Sequence, residues 1–128
     1  MSEANFTSFD GTKLYLNKET SPNDKAVCVV VHGLCEHQGR YDYLAEQFHK
    51  AGIGTYRFDH RGHGRSEGER TYYKDFNDML DDVNVFVDLA IQENPDKPVF
   101  LLGHSMGGFA VALYGVKYPN KNLRGIVT

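Results

Sequence analysis

The sequence has little of what marks a membrane, secreted or nucleic-acid-binding protein. It contains no apolar run near the roughly 18 residues that a membrane-spanning helix needs, so we expect no such helix. The polar residues 1–5 lack the apolar core of a signal peptide, and two cysteines, Cys28 and Cys35, are too few for a disulfide framework. The net charge of −3 argues against a nucleic-acid partner. These absences favour a cytoplasmic protein, with transient contact at a membrane surface left open.

What the sequence does contain is an alternation of strand-like and helix-like segments over 128 residues, the length of one domain. An opening hairpin is predicted around Asp10-Gly11, a dipeptide typical of turns. Four further strands are predicted at residues 26–31, 53–58, 99–102 and 123–127. Three helices are predicted: residues 41–51, the segment between Asp75 and Asn94, and the segment that ends at Tyr118. This alternation predicts an α/β fold, with a mostly parallel sheet and helices on both faces.

The helix that follows Asp75 has the clearest pattern, because its apolar residues recur with helical period. Asp75 is predicted to cap its N-terminus. Asp78, Asp81 and Asp82 are expected near its positive end, where carboxylates stabilise the helix.

The run Gly103-His104-Ser105-Met106-Gly107 joins a short apolar strand to a helix. A strand that turns at once into a helix leaves Ser105 in a cramped conformation, and the two glycines leave space for neighbouring backbone. The pattern G-x-S-x-G in this context is typical of a nucleophile elbow, which holds a serine hydroxyl at the carboxyl edge of the sheet. The alternative is a glycine-rich structural turn with an idle serine.

A second segment, His32-Gly33-Leu34, follows an apolar strand and is expected to face the same edge of the sheet. Acyl transfer through a serine builds negative charge on the carbonyl oxygen of the substrate, and that charge needs hydrogen-bond donors already aimed at it. The backbone amides of Leu34 and Met106 are the predicted donors. The alternative is an ordinary loop between a strand and a helix.

The third loop at this edge, residues 59–73, is polar and rich in glycine. It fails the dinucleotide fingerprint G-x-G-x-x-G because Glu67 stands where the third glycine is required. Asp59, His60 and His63 could be metal ligands, but no second cluster completes a metal site. We therefore expect a tight hydrogen-bonded turn that shapes the pocket wall, and neither a metal nor a cofactor.

Three stretches together closely resemble the monoacylglycerol lipases, which are α/β-hydrolases related to lysophospholipases and other esterases. The stretches are VHGLCEHQGRY at residues 31–41, DHRGHGRSEGER at residues 59–70 and PVFLLGHSMGG at residues 98–108. The resemblance implies a serine hydrolase acting on lipid esters, monoacylglycerols or lysophospholipids, with Ser105 as nucleophile and the Leu34 and Met106 amides as the oxyanion hole. The residues that it implies support these motifs are His32, Gly33, Gly103, His104 and Gly107.

The same resemblance implies that Glu36 and Arg40 lie near the polar, glycerol-binding end of the pocket. Cys35 stands where the family usually has glycine, so the oxyanion loop is expected to differ slightly in shape. In this fold the triad acid and histidine follow the serine along the chain. They are therefore expected after Thr128, together with the cap and the C-terminal strands, which makes residues 1–128 the N-terminal part of one α/β-hydrolase domain.

Six histidines are present, and none is expected to replace the missing base: five lie in motif turns and His49 lies on a helix. Two interpretations follow. The chain is the nucleophile-bearing part of a serine hydrolase that becomes active with a C-terminal fragment or chain, or it is a non-catalytic α/β domain that acts as a binding module.

Overall fold

Six strands form one sheet in the computed structural model, which describes residues 2–119 and 121–128. The strands are β1 Ser2–Thr7, β2 Lys13–Glu19, β3 Ala26–Val31, β4 Ile53–Phe58, β5 Val99–Gly103 and β6 Gly125–Val127. The helices are α1 Asp42–Lys50, which follows a 3₁₀ turn at Gln38–Tyr41, α2 Phe76–Glu93 and α3 Met106–Lys117. Within this described part of the chain, no helix is long and apolar enough to cross a membrane.

The sheet is mixed and has the strand order β1-β2-β4-β3-β5-β6. β1 and β2 form the predicted hairpin, β2 pairs antiparallel with β4, and β4, β3, β5 and β6 run parallel. β3 and β4 span the predicted residues. β6 begins later than predicted because the Leu123 amide donates to the Lys121 carbonyl at 2.8 Å, which places Leu123 in a tight turn.

Alternate residues of the central strands face two different layers of helices. Val29 of β3 belongs to the same buried cluster as Phe86 of α2 and Val111 of α3. Arg57 of β4 faces the opposite side, where its Nη1 donates to Asp42 Oδ1 of α1 at 2.6 Å. The predicted helices on both faces of a mostly parallel sheet are therefore confirmed.

Helix α2 begins as the sequence predicts. The Asp75 carboxylate accepts from the Asn77 amide at 2.9 Å, and the helix ends before Asn94. Asp78 lies in the first helical turn, but Asp82 lies beyond it and is fully buried. Asp81 also lies beyond the first turn. The expectation that Asp81 and Asp82 lie near the positive helix end is therefore wrong, because the helix dipole acts on charges in the terminal turn.

Asp82 instead belongs to a buried ion network that ties α2 to the opening hairpin. Its carboxylate accepts from Arg61 Nε at 2.7 Å, from Arg61 Nη2 at 2.8 Å and from Ser8 Oγ at 2.5 Å. Arg61 also donates from Nη1 to Asp10 Oδ2 at 2.8 Å. The Arg61 guanidinium thus connects the loop after β4, to which it belongs, with both the β1–β2 turn and α2.

Candidate active site

Ser105 lies between β5 and α3 with an unusual backbone conformation. Its φ is 58° and its ψ is −118°, a region that side chains rarely adopt. The flanking glycines have no room for a side chain, because a Cβ at Gly103 would overlap the Gly107 carbonyl and a Cβ at Gly107 would overlap the Val31 carbonyl. The serine itself is exposed. This is the backbone geometry of a nucleophile elbow.

The loop after β3 lies directly beside this serine. A Cβ built on Gly33 would stand 3.2 Å from Ser105 Cβ and 2.8 Å from Glu36 Oε2, so only glycine fits there without displacement. The amides of Leu34 and Met106 donate no hydrogen bond to any described residue. Both amides therefore remain free to serve a ligand, and their convergence on one oxyanion stays a prediction.

Cys35 has a left-handed backbone, with a φ of 58°, and its side chain is exposed. It thus adopts a conformation that favours glycine, the residue usual at this position in the resembling family. Neither cysteine forms a disulfide, since Cys28 and Cys35 are both free thiols. Burial raises the pKa of the Cys28 thiol to about 12, so this thiol stays protonated in the core.

Glu36 and Arg40 line a small polar depression of about 170 Å³ together with Tyr41 and His104. Glu36 Oε1 accepts from the Tyr41 hydroxyl at 2.8 Å, and Glu36 Oε2 lies 3.2 Å from His104 Nδ1. Burial acts to raise the pKa of Glu36, but the hydrogen bonds from Tyr41 and His104 outweigh it and lower the pKa. The carboxylate is therefore ionised and held in place beside Ser105.

Tyr41 is a site residue that the sequence alone did not identify. Tyr41 falls at the start of a predicted helix, and no local pattern connects it with Glu36 or with His104 on a distant loop. The 3₁₀ turn at Gln38–Tyr41 brings its ring to within 6.4 Å of the His104 ring, centre to centre.

The loop after β4 is the hydrogen-bonded turn that the sequence favoured. The buried Asp59 carboxylate accepts from the amides of Gln38 at 2.7 Å and Arg65 at 2.9 Å, and Ser66 Oγ donates to the Asp59 carbonyl at 2.5 Å. Among residues 2–119 and 121–128, no group of three His, Cys, Asp or Glu side chains is placed to hold a metal ion. Asp59 instead joins this loop to the 3₁₀ turn beside the site.

Three buried histidines, His32, His60 and His63, pack together behind the Gly33 loop. The His60 amide donates to His32 Nε2 at 2.9 Å, and His60 Nε2 donates to the His32 carbonyl at 2.9 Å. Burial lowers the pKa of His32 to about 4 and lowers the pKa of His60 well below its usual value. Both rings are therefore neutral near pH 7.

This neutrality makes the fold sensitive to acid. In the unfolded chain His32 titrates near pH 6.5, whereas its pKa in the fold is about 4, so the unfolded state binds the proton first. The contribution of His32 to the free energy of unfolding should therefore be complete above about pH 6.5 and be lost as the pH drops toward about 4. We expect a loss of about 2 kcal/mol from His32 alone between about pH 7.5 and about pH 5, measured by urea denaturation. An unchanged free energy of unfolding would contradict this prediction.

The Ser105 hydroxyl makes no hydrogen bond to any residue that the structure describes. Both nitrogens of His32 are engaged by backbone groups, and His37 Nδ1 accepts from the Gly39 amide at 3.2 Å. Within the described residues, Ser105 thus has an exposed hydroxyl beside two free backbone amides, and no histidine is hydrogen-bonded to it.

A larger cavity of about 550 Å³ lies away from this serine, on the α1 side of the sheet. Asn17, Asp42 and Arg57 line it, and Ser105 does not. The largest of these volumes therefore does not coincide with Ser105, whose distinguishing feature is its backbone geometry.

A family profile described as serine aminopeptidase, S33, matches residues 22–128 of the chain. A monoacylglycerol lipase of Mycolicibacterium smegmatis is 40% identical over 121 residues, which are 94% of this chain and 43% of that protein. A monoglyceride lipase of Mus musculus is 42% identical over 111 residues, which are 86% of this chain and 37% of that protein. The crystal structure of a Paleococcus ferrophilus monoacylglycerol lipase superposes with a TM-score of 0.72 at 38% identity and covers 88% of this chain and 41% of that one. The chain thus spans about two fifths of the length of these relatives.

Proposed function

Because the chain belongs to the serine aminopeptidase S33 family of hydrolases and has the α/β-hydrolase fold, we propose that it carries the nucleophile of a lipid-ester hydrolase. The observation that carries this proposal is the strained, exposed Ser105 with the Gly33 backbone directly beside it. The substrates proposed are monoacylglycerols and lysophospholipids. The monoacylglycerol lipases and the Bacillus subtilis phospholipase among its relatives support this substrate class.

In the proposed reaction, Ser105 Oγ attacks the acyl carbonyl carbon while its proton passes to a histidine base. The carbonyl oxygen becomes an oxyanion, which accepts hydrogen bonds from the Leu34 and Met106 amides. The oxyanion then collapses, the bond to the alcohol breaks and the histidine returns the proton to the leaving alcohol. Water hydrolyses the acyl-serine in the same way. We propose that the histidine and its acid partner come from a segment beyond Thr128 or from a second chain, in which case residues 1–128 are part of a larger α/β-hydrolase domain.

The leaving alcohol is proposed to lie in the depression lined by Glu36 and Arg40. The Glu36 carboxylate is ionised and held by Tyr41, so it can accept hydrogen bonds from the free hydroxyls of a glycerol group. Arg40 supplies a positive charge at the same depression, where a phosphate-bearing head group would also find a partner.

This proposal is tested with the protein in a form that contains the acid and the histidine. Fatty-acid release from a monoacylglycerol should disappear in Ser105→Ala. Glu36→Gln should raise the KM for the monoacylglycerol about tenfold, as expected for a weakened charged hydrogen bond, and leave the KM for the methyl ester of the same fatty acid unchanged. The matched control is Glu46→Gln, on the exposed side of α1. Hydrolysis that survives Ser105→Ala would refute the proposed nucleophile, and an equal rise in both KM values would refute the role of Glu36.

A further inference from the structure

The histidine cluster and Tyr73, which packs against it, contain three buried polar atoms that no protein group pairs with. His60 Nδ1, His63 Nε2 and Tyr73 Oη are inaccessible to bulk solvent and have no hydrogen-bond partner within residues 2–119 and 121–128. Buried polar atoms without partners are rare in folded proteins because each one loses its hydration without compensation. Three of them in one cluster therefore call for a common explanation.

The surrounding hydrogen bonds fix which of these atoms accept and which donate. Since His60 Nε2 donates to the His32 carbonyl, a neutral His60 ring leaves Nδ1 as an acceptor. His63 Nδ1 donates to the Arg61 carbonyl at 3.0 Å, which leaves Nε2 as an acceptor in the neutral ring. Burial raises the pKa of the Tyr73 phenol, so its hydroxyl keeps the proton and is a donor. The cluster thus presents two acceptors and one donor.

His63 and Tyr73 both pack against the ring of His60. The centre of the His60 ring lies 5.8 Å from that of His63 and 6.1 Å from that of Tyr73, and both neighbours meet it edge to face. One water molecule has two hydrogens to donate and can accept the phenolic proton, so it matches this set of atoms in number and in sense.

We propose that His60, His63 and Tyr73 form a binding site for one internal water molecule, and that this hydrated cluster positions the Gly33–Leu34 segment beside Ser105. The water donates to His60 Nδ1 and His63 Nε2 and accepts from Tyr73 Oη. The water thereby fixes the ring of His60. The His60 amide and Nε2 both donate to His32, at its Nε2 and its carbonyl. His32 Nδ1 in turn donates to the Gly33 carbonyl at 2.6 Å. The water site and its effect on the Gly33–Leu34 backbone do not depend on the proposed function. Only the link from this backbone to catalysis, through the Leu34 amide as oxyanion donor, rests on it.

The wild-type protein tests the water site directly. A high-resolution crystal structure should show one ordered water at hydrogen-bond distance, about 2.7–3.2 Å, from all three atoms. Nitrogen-15 NMR of the histidine rings near pH 7.5 should show the proton on Nδ1 of His32, on Nε2 of His60 and on Nδ1 of His63. A site without ordered water, a water bound to only one of the atoms, or any other set of protonated nitrogens overturns the proposal.

Tyr73→Phe tests the role of the donor, with Tyr72→Phe at an exposed position as the matched control. A hydrated cluster loses a hydrogen bond in Tyr73→Phe, so the Tm should fall by about 3–6 °C. A dry cluster loses only an unpaired hydroxyl, so an unchanged or higher Tm would refute the water site. The NMR signals of the Gly33 and Leu34 amides should move in Tyr73→Phe and not in Tyr72→Phe, and unmoved signals would refute the positioning role. None of these measurements uses hydrolysis, so they fail or succeed independently of the proposed function.

Discussion

The 128-residue chain alone is expected to hydrolyse monoacylglycerols and short p-nitrophenyl esters about 100- to 10,000-fold more slowly than the same chain combined with a segment that supplies the acid and the histidine. A serine hydroxyl without a base is a poor nucleophile at neutral pH. Ser105 makes no hydrogen bond to a described histidine, and backbone groups engage both nitrogens of His32. Steady-state rates of the two forms at equal concentration measure the ratio.

Ser105→Ala is the control for this experiment and should abolish the activity that the added segment restores. If the chain alone turns over esters at an enzymatic rate and Ser105→Ala stops it, the proposed location of the base is wrong. His32→Gln and His37→Gln would then show which local histidine acts. A combined form that still lacks Ser105-dependent hydrolysis would instead favour a non-catalytic binding module.

The second large effect is expected at Asp82. Asp82→Ala should lower the free energy of unfolding by about 3–5 kcal/mol, because it leaves the guanidinium of Arg61 without its main partner in a buried setting. That loss is a large share of the roughly 5–15 kcal/mol by which domains are stable. Urea denaturation at about pH 7.5 measures it.

Asp88→Ala is the matched control, since Asp88 lies on the same helix in an ion pair with Lys121 but is half exposed. Its cost should stay below about 1 kcal/mol. The double variant Asp82→Leu with Arg61→Met should lose less than Asp82→Ala, because it leaves no buried charge unpaired. Equal losses in Asp82→Ala and Asp88→Ala would show that the buried network adds nothing to stability.

The local elements of the fold could be predicted from the sequence because their signals are local. A continuous apolar, β-branched run defined β3, and helical periodicity with an acidic cap defined α2. The sequence also predicted the α/β-hydrolase fold and the resemblance to monoacylglycerol lipases, because short, distinctive stretches indicate both. The comparisons confirm these two predictions.

Long-range pairings could not be predicted in this way. Asp82 has the same charge as Asp78, and only the fold brings Arg61 against one of them in a buried position. Glu36 was expected near the site through the resemblance, but its contacts with Tyr41 and His104 depend on where two loops meet. Side chains distant in sequence leave no periodic signal, so such contacts become visible only in three dimensions.

The left-handed backbone at Ser105 has a consequence for how this position can change over generations. Glycine would adopt the same φ and ψ without strain, whereas serine there costs about 1–3 kcal/mol. Selection for a long-lived fold would therefore favour glycine at residue 105, whereas the proposed ester hydrolysis requires the serine hydroxyl. If Ser105 is the nucleophile as proposed, a gene copy no longer selected for hydrolysis would gain stability by replacing it with glycine, and that first step away from activity would be thermodynamically downhill.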